Sequence, residues 1–123
     1  MIKRIAKALV LSIALLGASV STASAAAPCT SGHLCWYTDA DFVGYMFGNV
    51  TTPSANWIDV ITSNDNTMSS YKNWTNYDAI WATGPSGTGT IYCINSQSVD
   101  SWVGDNQNDK LTSFMLLSTN GFC

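Results

Sequence analysis

The 123-residue chain contains no glutamate, one arginine (Arg4) and one histidine (His33). Three of its five basic residues, Lys3, Arg4 and Lys7, lie within the first seven positions. Beyond residue 27, two lysines (Lys72 and Lys110) stand against eight aspartates, a formal charge of −6. Such a surface has little to offer a phosphate backbone, which excludes ordinary nucleic-acid binding. A single histidine also leaves almost no nucleophile–base pair. His33 beside the cysteines of the N-terminal segment reads as a solvated loop residue, and no two aspartates are spaced as an acid/base pair, so the chain reads as a non-enzyme. Long apolar runs are absent as well. Ala8–Leu16 is too short to span a bilayer comfortably. After residue 33 no stretch keeps apolar residues at i, i+3, i+4 and i+7 for three turns, so helices are not expected.

What is present begins with a leader. Met1–Lys7 is basic, Ala8–Leu16 is apolar, and small residues follow to Ala25. This is the pattern of a secretory signal over residues 1–25, with Ala23-Ser24-Ala25 as the cleavage triplet and Ala27 as a nearly equivalent end. The expected product is a secreted, extracellular domain over 28–123, free of the membrane once the signal is removed. Export changes the meaning of the four cysteines, Cys29, Cys35, Cys93 and Cys123, which read as two disulfides rather than a metal site. Neither C-x-x-C nor a second histidine supports zinc. Three pairings are open. Cys29–Cys35, closing a small N-terminal loop, with Cys93–Cys123, tying the C-terminus back to the body, is the one favoured.

All fourteen aromatic residues lie after residue 35. Short runs rich in aromatic and β-branched residues recur at 34–38, 43–47, 57–61, 79–83, 90–94, 99–103 and 111–117, separated by Gly, Asn, Asp, Ser, Thr and Pro. This spacing predicts an all-β sandwich. One self-similarity offset, 43 residues, aligns Tyr37-Thr-Asp-Ala-Asp-Phe42-Val-Gly44 with Ile80-Trp-Ala-Thr-Gly-Pro85-Ser-Gly87. It also aligns Asp65-Asn66-Thr67-Met68-Ser69-Ser70 with Asn108-Asp109-Lys110-Leu111-Thr112-Ser113. Two copies of one unit of about four strands are expected, at about 34–75 and 78–118.

Tyr37-x4-Phe42-x-Gly44 followed by D-N-x-x-S-S resembles a βγ-crystallin Greek-key motif, and the second half resembles a divergent copy. With the signal, the length and the Cys29…Cys35 pair, the chain is most similar to the bacterial secreted peptidase-inhibitor family of that fold, whose best-known members inhibit metalloproteinases. The resemblance implies a disulfide-bonded sandwich of two Greek keys. In it Tyr37 and Phe42 pack across a folded hairpin, Gly44 and Gly87 allow the fold-over, and Ser70 and Ser113 hydrogen-bond the hairpin backbone.

The same resemblance implies two calcium sites, each drawing ligands from both motifs. Asp65 or Asn66, the carbonyl of Thr67 and Ser69 come from the first motif. Asn108 or Asp109, the carbonyl of Lys110 and Thr112 come from the second. A carbonyl from each hairpin, near Asp39–Asp41 and near Ala82–Gly84, would complete the set. Ca²⁺ takes six to eight oxygens of these types, and about one carboxylate per site implies weak binding, on the order of 10⁻⁴ M. For inhibition, the resemblance implies that Cys93 anchors a loop and that Ile94 enters a thermolysin-like cleft, although no second cysteine follows Cys93 to close a small loop; burial preference instead favours Cys93 and Ile94 as core strand residues. The expected partner is an extracellular protease and the expected state a monomer. A calcium-stabilised structural or binding module and a killer-toxin-like antimicrobial protein are the alternatives.

Overall fold

The computed structural model describes residues 28–123, so the expected signal and its cleavage sites lie outside the described residues. Eight strands form two four-stranded sheets. They are β1 (Leu34–Tyr37), β2 (Met46–Val50), β3 (Ile58–Asp59), β4 (Ser70–Asn73), β5 (Ala79–Ala82), β6 (Ile91–Ile94), β7 (Ser98–Asp100) and β8 (Ser113–Leu116). One sheet has the order β2-β1-β4-β7 and the other β3-β8-β5-β6, with every pairing antiparallel. Each half of the chain therefore lends its third strand to the other half's sheet. Neither half can complete a sheet alone, which is why a duplicated sequence yields one domain.

The sheets close on Leu34, Trp36, Phe47, Met68, Trp81, Ile94, Leu111, Phe114 and Leu116, all buried. Trp36 packs edge-on against Phe114 of the opposite sheet at 5.6 Å, and Trp81 stacks on Tyr92 at 4.5 Å. Truncating either buried tryptophan would cost about 3–5 kcal/mol, a large part of what a domain of this size possesses.

Strand β4 lies between β1 and β7, yet Ser-Tyr-Lys-Asn has no apolar alternation and the sequence pattern does not predict it as a strand. Its two buried members, Ser70 and Asn73, are held by hydrogen bonds rather than by apolar contact. The second strand also begins later than the 43–47 run suggests, because Gly44 and Tyr45 belong to the hairpin fold-over. Trp36 pairs with Phe47 but Leu34 with Val50, a one-residue slip that places a bulge at Gly48–Asn49, both at positive φ.

The repeat itself needs correction. In the hairpins the corresponding residues are 45 apart, not 43. Ser70 Oγ donates to the Asp39 carbonyl and Ser113 Oγ to the Gly84 carbonyl, each at 2.7 Å. The same two hydroxyls accept from the Phe42 and Gly87 N–H groups. Gly89, at φ +82, is thus the counterpart of Gly44, at φ +79, while Gly87 takes the place of Phe42. Ile80 and Pro85 are not the partners of Tyr37 and Phe42; Ala82 and Gly87 are. The first motif carries two extra residues between hairpin and corner, one of them the bulge, so a single ungapped offset could not align both segments.

This change has a packing consequence. In the first hairpin Tyr37 and Phe42 meet edge-on at 5.8 Å, with the Lys72 ammonium 4.3 Å from the Phe42 ring centre. The second hairpin has no aromatic of its own at those positions, and Trp57 of the first motif lies over Gly87 instead. A Cβ at Gly87 would collide with that indole, and φ is +77 besides. Gly87→Ala should therefore cost about 2 kcal/mol or more in chemical denaturation. An unchanged midpoint would contradict the packing of Trp57.

Candidate functional site

Two regions carry the residues singled out from the sequence. The first is a pair of corners at one end of the sandwich. Residues 62–66 and 105–109 form matching turns, closed by Asn64 and Asp65 N–H bonds to the Ile61 carbonyl and by Gln107 and Asn108 N–H bonds to the Gly104 carbonyl. Asn66 and Asp109 then take left-handed conformations, φ 57 and 56, in which short polar side chains are tolerated. Each corner reaches across to the other half: Asn66 N–H donates to the Leu111 carbonyl and Asp109 N–H to the Met68 carbonyl, both at 3.0 Å. The side chains follow, with Thr112 Oγ1 donating to Asn66 Oδ1 at 3.3 Å. In the first half Ser69 Oγ donates to the Thr38 carbonyl at 2.7 Å, one residue before the expected hairpin segment.

Two oxygens at these corners are buried without a hydrogen-bond partner, Asp65 Oδ1 and Asn108 Oδ1. They occupy the same position of the two motifs. An unpaired buried carboxylate oxygen is costly, and the repetition of the feature argues against accident. Lys110, whose charge lies within the second motif, donates its ammonium to the Asn106 carbonyl at 2.7 Å.

The second region is the turn joining β6 to β7. Cys93 is bonded to Cys123 and Cys29 to Cys35, with Cα separations of 5.7 and 6.0 Å. In the chain-entropy picture the 30-residue closure contributes about 3.5 kcal/mol and the six-residue closure about 2 kcal/mol. The expected role of Ile94 is not compatible with its place. It is 1% exposed, belongs to the core cluster and pairs with Ala79, so it could enter a cleft only if β6 were peeled from the sheet. Cys93 points the other way and is exposed. What the turn shows to solvent is Asn95 and Gln97.

That turn is held from beneath by the segment linking the two Greek keys. Asn73, fully buried, donates from Nδ2 to the Asn95 carbonyl at 3.0 Å. Gln97, at φ 53, donates from its backbone N–H to the Thr75 carbonyl and from Nε2 to the carbonyls of Trp74 and Thr75. Asp78, 1% exposed, accepts the Ser96 N–H at 2.8 Å and those of Phe122 and Cys123 at 2.6 and 3.0 Å. Burial pushes the Asp78 carboxyl up, but the N–H donors of Cys123, Ser96, Phe122 and Gly121 outweigh it and hold the group below its ordinary value. Burial raises the Tyr37 and Tyr71 hydroxyls, Tyr71 being pushed further by Asp100. Asp78 and Asn73 were not singled out in the sequence. In a chain so rich in Asp and Asn nothing in their spacing marks them, although N-W-T-N-Y-D is the boundary between the two repeats.

A groove of about 480 Å³ opens on the opposite flank, between the outer strands β2 and β3. Seven residues join those strands, whereas three join β6 to β7, so one flank is closed by its short turn and the other stays open. Phe47 and Phe114 form part of its floor and Tyr45, Ile58 and Ile61 its exposed rim. His33 Nδ1 shares a 2.6 Å hydrogen bond with Asn49 Oδ1. Among the described residues no helix is long and apolar enough to cross a membrane, and no group of three His, Cys, Asp or Glu side chains converges on one point.

Comparison with solved structures places the topology. A βγ-crystallin domain from Clostridium beijerinckii is 25% identical, with a TM-score of 0.57 over 71% of this chain and 99% of that one. A βγ-crystallin domain from Flavobacterium johnsoniae is 21% identical, with a TM-score of 0.58 over 73% and 98%. No curated protein sequence matches the chain. The profile of peptidase inhibitor family I36 matches residues 22–94, more than half of the chain, and covers both halves of the first disulfide and the strand that leads into the β6–β7 turn. Family and fold are those of a non-enzymatic protein. Two interlocked Greek keys, two disulfides and that match together show that the chain belongs to peptidase inhibitor family I36, carried on a βγ-crystallin fold.

Proposed function

We propose that this protein is a secreted inhibitor of an extracellular metallopeptidase and that the β6–β7 turn is the part it presents. The observation that carries this reading is the fixation of Asn95–Gln97 by the Cys93–Cys123 disulfide at its base and by Asn73, Thr75 and Asp78 beneath it. A segment already held in one conformation loses little entropy on entering a cleft, and it resists the distortion that cleavage requires. The presented residues are the exposed ones, Asn95 and Gln97, with the outward face of β6 alongside. A panel of thermolysin-like and serine peptidases tests the assignment. We expect inhibition of a thermolysin-like enzyme, weakened about tenfold or more by Asn95→Ala with no change in melting temperature. Ile94→Ala should instead lower stability by about 2–4 kcal/mol through the core. Absence of inhibition across the panel, or indifference to Asn95, would remove the reading.

Calcium belongs to the same proposal as a stabiliser of the fold. The donors fit a hard cation: carboxylate and amide oxygens of Asp65, Asn66, Asn108 and Asp109, the hydroxyls of Ser69 and Thr112, and backbone carbonyls of Thr67 and Lys110. The two unpaired buried oxygens, Asp65 Oδ1 and Asn108 Oδ1, support this fit. The open groove favours a second reading, a binding module for a small or saccharide ligand, since its volume and its apolar rim with the exposed Tyr45 are of the usual kind for such sites. Polysaccharide pull-down that is lost in Tyr45→Ala would favour that reading over inhibition.

A further inference from the structure

The carboxylate of Asp78 divides its two oxygens between two separate parts of the molecule. Oδ1 accepts from Ser96 in the β6–β7 turn, and Oδ2 accepts from Phe122 and Cys123 at the C-terminus. The Asp78 backbone repeats the attachment to the C-terminal segment: its N–H donates to the Thr119 carbonyl and its carbonyl accepts from Leu117, both at 2.9 Å. The tail itself buries almost nothing. Gly121, Phe122 and Cys123 are all exposed, Phe122 by 65%, so apolar contact does not explain why the last residues lie where they do. They are held by the Asp78 carboxylate and by the disulfide to Cys93, which sits two residues before the turn. The connection is therefore a closed circuit: turn to Asp78, Asp78 to tail, tail through the disulfide to β6, and β6 back to the turn.

A buried carboxylate is an expensive way to fill a core, and it is tolerated only where several donors converge on it. Here the donors come from two separate segments, the β6–β7 turn and the C-terminal tail. We propose that Asp78 is a positioning residue that couples the C-terminal tail to the β6–β7 turn, so that the rigidity of the turn depends on the tail being latched. Peptidase inhibition depends on it in turn, a step that rests on the reading of the turn given above. The coupling itself does not rest on that reading.

The experiment measures native-state amide exchange and inhibition constants for five forms of the full mature chain. These are the wild type, Asp78→Asn, the Cys93→Ser/Cys123→Ser pair that releases the tail from β6 (the freed-tail form), the two changes combined, and Phe42→Ala as a destabilised control at the distant hairpin. Protection at Ser96 and Gln97 is expected to fall ~10- to 100-fold in both Asp78→Asn and the freed-tail form, beyond the loss common to the control. The disulfide also anchors the turn at its base, so the discriminating comparison is Asp78→Asn with and without it: if the tail acts on Ser96 through Asp78, the two losses of protection are not additive, and strict additivity overturns the coupling. Where the wild type inhibits a peptidase, its inhibition constant should rise with the loss of turn protection and not with the loss of global stability. Unchanged Ser96 exchange in the freed-tail form overturns the coupling. Unchanged inhibition despite a loosened turn overturns the positioning role. If the wild type inhibits nothing while Ser96 loses protection on tail release, the inhibitor assignment falls and the coupling stands.

Discussion

Calcium at about a hundred times its dissociation constant is expected to raise the melting temperature of the metal-free protein by roughly 10 °C or more. The figure follows from the corners. With an affinity on the order of 10⁻⁴ M, as oxygen-rich extracellular sites show, a concentration near 10 mM stabilises the native form by about 2.7 kcal/mol per occupied site. In a domain of about a hundred residues each kcal/mol moves the midpoint by about 4–8 °C. The two corners are not chemically alike. The second supplies a carboxylate at the left-handed position, Asp109, where the first supplies the amide of Asn66. Conversely, the first has a carboxylate at the preceding position, Asp65, where the second has Asn108. Each half thus contributes one charged oxygen donor. Asp109→Ala and Asp65→Ala should each remove part of the shift, and magnesium, which demands a tighter octahedron, should not reproduce it. Calorimetry with and without calcium is sufficient. A midpoint and an NMR spectrum that ignore calcium would sink the proposal.

The second large effect is acid lability traceable to one carboxylate. Asp78 has its folded-state value depressed by the backbone N–H donors that surround it, which prevail over the opposite effect of burial. For a depressed carboxyl the sign is fixed. Its contribution is complete above the unfolded-state value, about pH 4, and is lost as pH falls through the lower folded-state value. The protein should therefore lose stability as pH falls below about 4. In Asp78→Ala this part of the acid dependence should be missing. At neutral pH the same substitution leaves the N–H groups of Ser96, Phe122 and Cys123 without their acceptor, and should cost about 3–5 kcal/mol. Urea unfolding at a series of pH values reads both effects. A variant that keeps the full acid limb would show that other groups govern it.

Much of the fold was legible because its signals are local. Runs of aromatic and β-branched residues separated by Gly, Asn and Asp mark strands wherever one face is apolar, and that identified seven of the eight. β4 escaped because its buried residues, Ser70 and Asn73, are polar and satisfied by partners distant in sequence, which no pattern of alternation records. The D-N-x-x-S-S repeat was visible because both the turn and its closing hydroxyls lie within six residues. The hairpin register departs by two positions from the ungapped 43-residue offset for the opposite reason. A bulge and a longer β2–β3 connection shift it, and only the pairing of Ser113 with Gly84 and Gly87 shows where the second hairpin lies.

Ile94 shows the limit most clearly. Next to a cysteine and before a polar stretch it fits a bait residue, although burial preference favours a core position, and Asn95 looks like linker. The alternation of β6 reverses these roles, since one step along a strand exchanges the core face for the solvent face.

The amino-acid sequence by itself determined the all-β class, the duplication, the acidic surface and the turn chemistry of the corners, because each depends on residues near one another in the chain. Only the tertiary structure decided that the third strands are exchanged, that Trp57 covers Gly87, that Ile94 is buried and that Asp78 joins the turn to the tail. Those facts rest on contacts between residues 15 to 56 positions apart, whose geometry is set by how two sheets close on a shared core and not by the identity of neighbours along the chain.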